Sequence, residues 1–297
     1  MQSELQIGSY HLSWGRQTYI MGILNITPDS FSGDGLLREN LDSAQPVQET
    51  AMEQAYRFIA AGAHILDVGG ESTRPGALAV TESEEMGRVL PVVERLADEL
   101  EVLISIDTYR ASVAEAALEA GAHMVNDVWA LRADPDMAQV IARHQAGVIL
   151  MHNRSSWAHA EIKQRLGGHY VGIPYDNLLE DIQRELLESV ELARQAGIAD
   201  EKIILDPGIG FGKSVEQNLE LVNRLGEIRA LGYPVLVGPS RKSFIGYTLD
   251  LPPDQRLEGT AAAVAISIAR GADIIRVHDV AAICRVARMS DAIVRQA

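Results

Sequence analysis

Short apolar, β-branched runs recur along the whole chain and alternate with stretches of helical period. The runs are YIMGILNI (19–26), HILDVGG (64–70), VLISIDT (102–108), HMVNDV (123–128), GVILMH (147–152), IILDPGI (203–209), PVLVGP (234–239) and IIRVHD (274–279). Each is apolar at successive rather than alternate positions, the pattern of a strand buried on both faces in a parallel sheet. Between them, segments such as VQETAMEQAYRFIAAG, EEMGRVLPVVERLADEL and NLLEDIQRELLESVELARQAG carry the spacing of amphipathic helices. The echoes AGAHIL (61), AGAHMV (120), AGVIL (146) and RGADII (270) each place a glycine just before the next strand. Glycine there supplies the left-handed cap that turns a helix back toward the sheet. Eight near-equal βα units with no composition break predict an α/β fold, a single (β/α)8 TIM barrel, over an open doubly wound sheet. One domain, 1–297, is expected, with its barrel core at about 19–290.

Two connections are longer than the few residues usual for a βα loop. They run over Thr27–Gln45 after the first strand and Glu71–Thr81 after the second, and are expected to be mobile and functional. The irregular segment Asn153–Gly172 reads as a surface excursion.

Composition narrows the function. The chain has 297 residues, 26 Lys and Arg against 41 Asp and Glu, and a net charge of −15. That balance lacks the basic footprint of nucleic-acid binding, so no nucleic-acid partner is expected. The longest apolar run, Ala261–Ala269, is far short of the ~20 residues that cross a bilayer. One cysteine, Cys284, excludes an internal disulfide and a thiolate metal cage. A cytoplasmic protein without a membrane partner is expected.

Polar chemistry gathers at the strand ends. In order these carry Asn25, Asp67, Asp107, Asn126 with Asp127, His152, Asp206, Ser240 with Lys242, and Arg276 with His278. Active sites of such barrels lie at the C-terminal face, so the groups should converge on one mouth. Asp67 and Asp127 are the members expected to be structural. Asp107, Asn126 and Asp206 suit a heterocycle rich in N–H donors, and Lys242 can donate to its carbonyl. Arg276 and His278, two apart on a strand, point the same way and with Asn25 suit a phosphate or diphosphate. A hard cation such as Mg2+ would use Asn25 and phosphate oxygens.

Several nucleotide and hydrolase patterns fail. GIGFGKS (208–214) lacks the first glycine of a phosphate loop, because position 207 is Pro207, and Lys213 replaces the last glycine of a dinucleotide fingerprint. The histidines show no zinc spacing, and VGPSRKSFIG breaks the nucleophile-elbow pattern at Pro239 and Arg241.

GILNITPDSFSGDG (22–35), DVGGESTRPGA (67–77), SIDTYR (105–110), NDVWAL (126–131), LDPGIGFGKS (205–214), GPSRKSFIG (238–246) and RVHDV (276–280) together resemble the dihydropteroate synthase family, in its motif order, over about residues 19–290. The resemblance implies condensation of p-aminobenzoate with 7,8-dihydropterin-CH2-diphosphate, with Mg2+ as cofactor and a homodimer as the assembly. It assigns the pterin pocket to Asp107, Asn126, Asp206, Lys242, Arg276, Met151 and Phe211. It assigns diphosphate to Asn25, Arg276, His278 and Thr73, and p-aminobenzoate to Phe31, Thr73, Arg74, Pro75, Lys242 and Ser243. Asp107, Lys242, Arg276 and Asp206 are its catalytic set, and Asn25 its metal ligand. The family often reads F-S-D-G-G in the first loop; here Ser32-Gly33-Asp34-Gly35 follows Phe31, so Asp34 is only a secondary metal contact. Two other readings share the scaffold: a methyltransferase acting on a reduced folate, and a pterin-binding paralogue without turnover.

Overall fold

The computed structural model describes residues 4–27, 47–71, 80–156, 159–163, 165–171 and 173–295. Strands β1 (Glu4–Ile7) and β2 (Tyr10–Ser13) form a hairpin ahead of the barrel. The barrel strands are β3 (Tyr19–Asn25), β4 (Ile65–Gly69), β5 (Leu103–Asp107), β6 (Met124–Asp127), β7 (Gly147–Met151), β10 (Ile203–Asp206), β11 (Leu236–Val237) and β12 (Ile274–Val277). β8 (Ala160–Lys163) and β9 (Gly167–Tyr170) make an antiparallel ribbon within the expected surface excursion. All eight barrel strands coincide with the apolar runs.

The barrel strands lie parallel in the order β10-β7-β6-β5-β4-β3-β12-β11. Leu205 of β10 bridges Val235, beside β11, and its N–H donates to the Pro234 carbonyl at 2.9 Å, which closes the ring. Helices Val47–Ala61, Glu82–Glu99, Ala111–Glu119, Met137–His144, Leu178–Gln195, Val215–Asn223, Leu257–Ala269 and Val280–Val294 surround it. The architecture is therefore the (β/α)8 barrel that the periodicity predicts. Among the described residues no helix is long and apolar enough to cross a membrane.

Strand parity divides the buried residues into two cores. Outward positions such as Ile20, Leu66, Ile104, Val125, Val148 and Ile275 pack with the helices. Inward positions Met21, Ile65, Leu103, Met124, Ile149, Ile204, Leu236 and Ile274 pack with Leu5, Ile7, Leu12 and Trp14 of the hairpin segment. The hairpin thus packs over the N-terminal end of the barrel.

The helix-to-strand echoes share a cap but not completely. Gly62, Gly121 and Gly271 have φ near +100°, as expected of left-handed caps. In the third echo Gln145 takes the left-handed position (φ 51°), and Gly147 sits inside β7. Space dictates that glycine: a Cβ there would lie 2.7 Å from Ile7 Cδ1 of the hairpin and 3.1 Å from Met124 Cβ.

Candidate active site

Parity also decides which strand ends reach the mouth. Inward residues continue upward from the lower layer as Asn25, Asp67 with Gly69, Asp107, Asn126, Met151, Asp206 and Arg276. Asp127 and His152 are one residue out of step and face the helices. Asp127 accepts from the N–H groups of Trp129 (2.8 Å) and Leu131 (2.6 Å), so it shapes the following turn. His152 binds Glu185 of the helix Leu178–Gln195. The expected convergence of every polar strand end thus holds for one parity only, because alternate side chains leave opposite faces of a strand.

Arg276 is the centre of the inward set. Its Nε donates to Asp67 Oδ2 at 2.5 Å and its Nη2 to Asp107 Oδ2 at 2.6 Å. Asp67 is fully buried and also accepts from Asn126 Nδ2 at 3.0 Å. That bond uses one of the two amide N–H groups of Asn126 and leaves its Oδ1 as an acceptor. Asp67, taken from sequence as structural, therefore orients both Arg276 and Asn126.

Burial raises the Asp107 carboxyl to about 7, with Arg276 opposing the rise and Asp67 adding to it. Asp206 is raised by burial too, against the nearby Lys242 and the Gly208 N–H, which donates to its Oδ1 at 2.7 Å. Burial lowers Lys242 to about 8, with Asp206 opposing and Arg276 reinforcing. Lys242 precedes the short helix Ser243–Leu249; its Nζ donates to the Ile209 carbonyl and lies 4.5 Å from the centre of the Phe211 ring. Ser243 starts that helix. Met151 lies beside Asp206 in register, so Met151 and Phe211 bring apolar surface to the same mouth.

On the far side of Arg276, Ser240 Oγ and His278 Nδ1 are 2.9 Å apart, and Ser240 Oγ also accepts from the His278 N–H at 3.2 Å. Arg241 pairs with Asp279 through two bonds of 2.9 and 2.6 Å, locking this corner. Asn25 Oδ1 and Asp107 Oδ2 flank Gly69, at 3.7 and 3.8 Å from where a Cβ would stand. Asp107 Oδ2 is taken up by Arg276, so Asn25 Oδ1 is the hard oxygen here that suits Mg2+. The expected site residues Phe31, Asp34, Thr73, Arg74 and Pro75 lie outside the described residues. Arg110 sits at the base of the second loop, pairing with Glu71 (2.6 Å) and Glu85 and donating to the Val80 carbonyl (3.0 Å).

Among the described residues, one group of three potential metal ligands occurs elsewhere: Glu115, Glu119 and His144. Glu119 and His144 end their helices, which run opposite to the strands, so this group lies at the other end of the barrel.

The mouth thus offers acceptors for a ring rich in N–H groups, a lysine for its carbonyl, and a cationic corner for an anion. Residues 21–278 match the family model for pterin binding enzymes. The chain is 49% identical to the dihydropteroate synthase of Bacillus subtilis (strain 168), over 96% of this chain and 92% of that one. Its fold matches dihydropteroate synthase from Clostridium difficile, solved in the presence of pteroic acid, with TM-score 0.83 and 47% identity over 95% and 99% of the two chains. It also matches the Xanthomonas albilineans dihydropteroate synthase with 4-aminobenzoic acid, with TM-score 0.85 and 38% identity over 99% and 98%.

Proposed function

The chain belongs to the family of pterin-binding enzymes, and from that premise we propose how its residues carry out the family's condensation. Its activity is that of a dihydropteroate synthase, joining p-aminobenzoate to 7,8-dihydropterin-CH2-diphosphate with release of diphosphate. The observation that carries the assignment of roles is Arg276, held between Asp67 and Asp107 where the heterocycle pocket meets the anion corner.

Asp107, Asn126 Oδ1 and Asp206 accept from the pterin N–H edge, while Lys242 donates to its carbonyl. Met151 and Phe211 flank the ring. Arg276 lies along the ring and reaches the diphosphate, which His278, Asn25 and Thr73 also bind. Asn25 would hold Mg2+ together with phosphate oxygens and water, with Asp34 as a secondary contact. Bound there, Mg2+ spreads the negative charge of the leaving group.

The bond between the methylene carbon and the diphosphate oxygen breaks with its electron pair on oxygen. Arg276, His278 and Asn25 stabilise that charge, and the ionised carboxylates of Asp107 and Asp206 stabilise the cation left on the pterin methylene. The p-aminobenzoate nitrogen, placed by Phe31, Thr73, Arg74, Pro75, Lys242 and Ser243, attacks with its lone pair. It then sheds one proton to diphosphate or solvent. Such a route requires no strong base.

A homodimer acting in the cytoplasm completes this reading. Exposed Ile266, Met289 and Ile293, on the last two helices, supply an apolar face for the pairing, which sedimentation would test. The pocket itself is tested by titrating a pterin into the ligand-free protein. Binding that Asn126→Leu abolishes supports these roles; a protein indifferent to pterin would overturn them.

A further inference from the structure

The GIGFGKS turn fits no nucleotide motif, yet it carries the most deeply buried lysine of the chain. Lys213 is 1% exposed. Its Nζ lies 3.0 Å from the Gly208 carbonyl, 3.0 Å from the Phe211 carbonyl and 3.0 Å from His152 Nδ1. Three acceptors match the three N–H bonds of an ammonium group. His152 must then offer its lone pair at Nδ1 and carry its proton at Nε2, which faces Glu185 Oε2 at 3.1 Å. Arg154 Nε donates to the same carboxylate at 3.0 Å.

We propose that Lys213, oriented by His152 and Glu185, is a positioning residue for the pterin pocket, holding the 207–213 turn against Lys242. The inference rests on the reading of the mouth given above. The turn touches the pocket at three points. The Ile209 carbonyl accepts from Lys242, the Phe211 ring faces its ammonium group, and the stem of Lys242 lies over Gly210. From below, the turn is pressed onto the end of β7: a Cβ on Gly208 would lie 1.9 Å from the His152 carbonyl oxygen. Two of the three Lys213 acceptors are backbone carbonyls of this turn, so losing the ammonium releases the turn and changes where Phe211 and Lys242 stand.

A charged lysine at this depth is finely balanced. Burial lowers Lys213 to about 7, with Asp206 and Glu185 favouring its charged form and Lys242 and Arg154 opposing it. The neutral His152 ring completes its surroundings: burial lowers that imidazole to about 4, with Lys213 adding to the shift. A neutral amine has two N–H donors, so deprotonation leaves one of the three acceptors without a partner. Pterin affinity should therefore begin to fall near pH 7.

The test uses the full chain with dihydropterin diphosphate and p-aminobenzoate. Lys213→Met keeps length and removes the donors. It should weaken pterin binding by about ten-fold or more, because three buried acceptors lose their donor and Phe211 and Lys242 shift. Glu185→Gln, outside the pocket, keeps an acceptor for His152 but removes the charge. It should move the onset of the alkaline fall in pterin affinity to lower pH by about half to one unit. If Lys213→Met does not fold, the Glu185→Gln profile decides. Wild-type pterin affinity in folded Lys213→Met, or a pH profile unchanged in Glu185→Gln, overturns the positioning role alone. A wild-type enzyme that forms no dihydropteroate overturns the site reading and this role with it.

Discussion

Arg276 Nη2 and Asp107 Oδ2 stand 2.6 Å apart across 169 residues of sequence. One guanidinium is thereby shared between two carboxylates, since its Nε binds Asp67 at 2.5 Å. Two carboxylates therefore share one guanidinium before ligand enters. That suits a site that must stabilise a cation on one side and release an anion on the other.

Asp107→Asn should retain the fold and lower kcat by about 100-fold or more, because shape survives while the charge facing the cation is lost. Near-normal kcat would remove Asp107 from the chemistry.

The same variant should change how stability depends on pH. The Asp107 carboxyl is raised from 3.8 to about 7 in the folded protein. Its neutral form is thus favoured by folding, a contribution fully present below about pH 4 and lost as pH rises through about 7. Replacing it with a neutral amide should shrink the fall in Tm between pH 5 and pH 8 measured without ligand. An identical fall in both proteins would contradict this.

The kcat/KM for the pterin substrate should be bell-shaped. It should rise as Asp107 ionises near 7, then fall as Lys213 and Lys242 lose protons near 7 and 8. In Asp107→Asn the acid limb should vanish; its persistence would assign that limb to another group.

Arg276→Ala should weaken binding of the pterin diphosphate far more than that of a pterin lacking diphosphate. Equal losses would place Arg276 at the ring alone.

Gly147→Ala tests the packing of the hairpin. Its methyl group would meet Ile7 and Met124, at a cost of about 1–3 kcal/mol. Ile7→Ala in the same chain should recover part of that loss in denaturant unfolding. No recovery would mean the hairpin does not set the space at Gly147.

Much of this was legible in the letters. The eight strands follow from runs such as VLISIDT because a strand buried on both faces has no polar positions to hide it. Asp107, Asn126, Asp206 and Arg276 stood out as polar ends on such runs. The hairpin over residues 4–13 was not legible, since two stretches of four residues give too little period to read. From sequence His152 reads as a mouth residue, because parity relative to its neighbours depends on register, which no single strand reveals. Asp67 was underrated for the same reason: its bonds to Arg276 and Asn126 join residues 209 and 59 positions away. Lys213 sat inside a motif whose failure as a phosphate loop hid its role in the turn.

The central claim is tested most directly by turnover of p-aminobenzoate and dihydropterin diphosphate, with Mg2+ and with a chelator, following diphosphate and dihydropteroate separately. The account predicts both products in a one-to-one ratio, lost on chelation. Tight pterin diphosphate binding with Mg2+ and no product would contradict it.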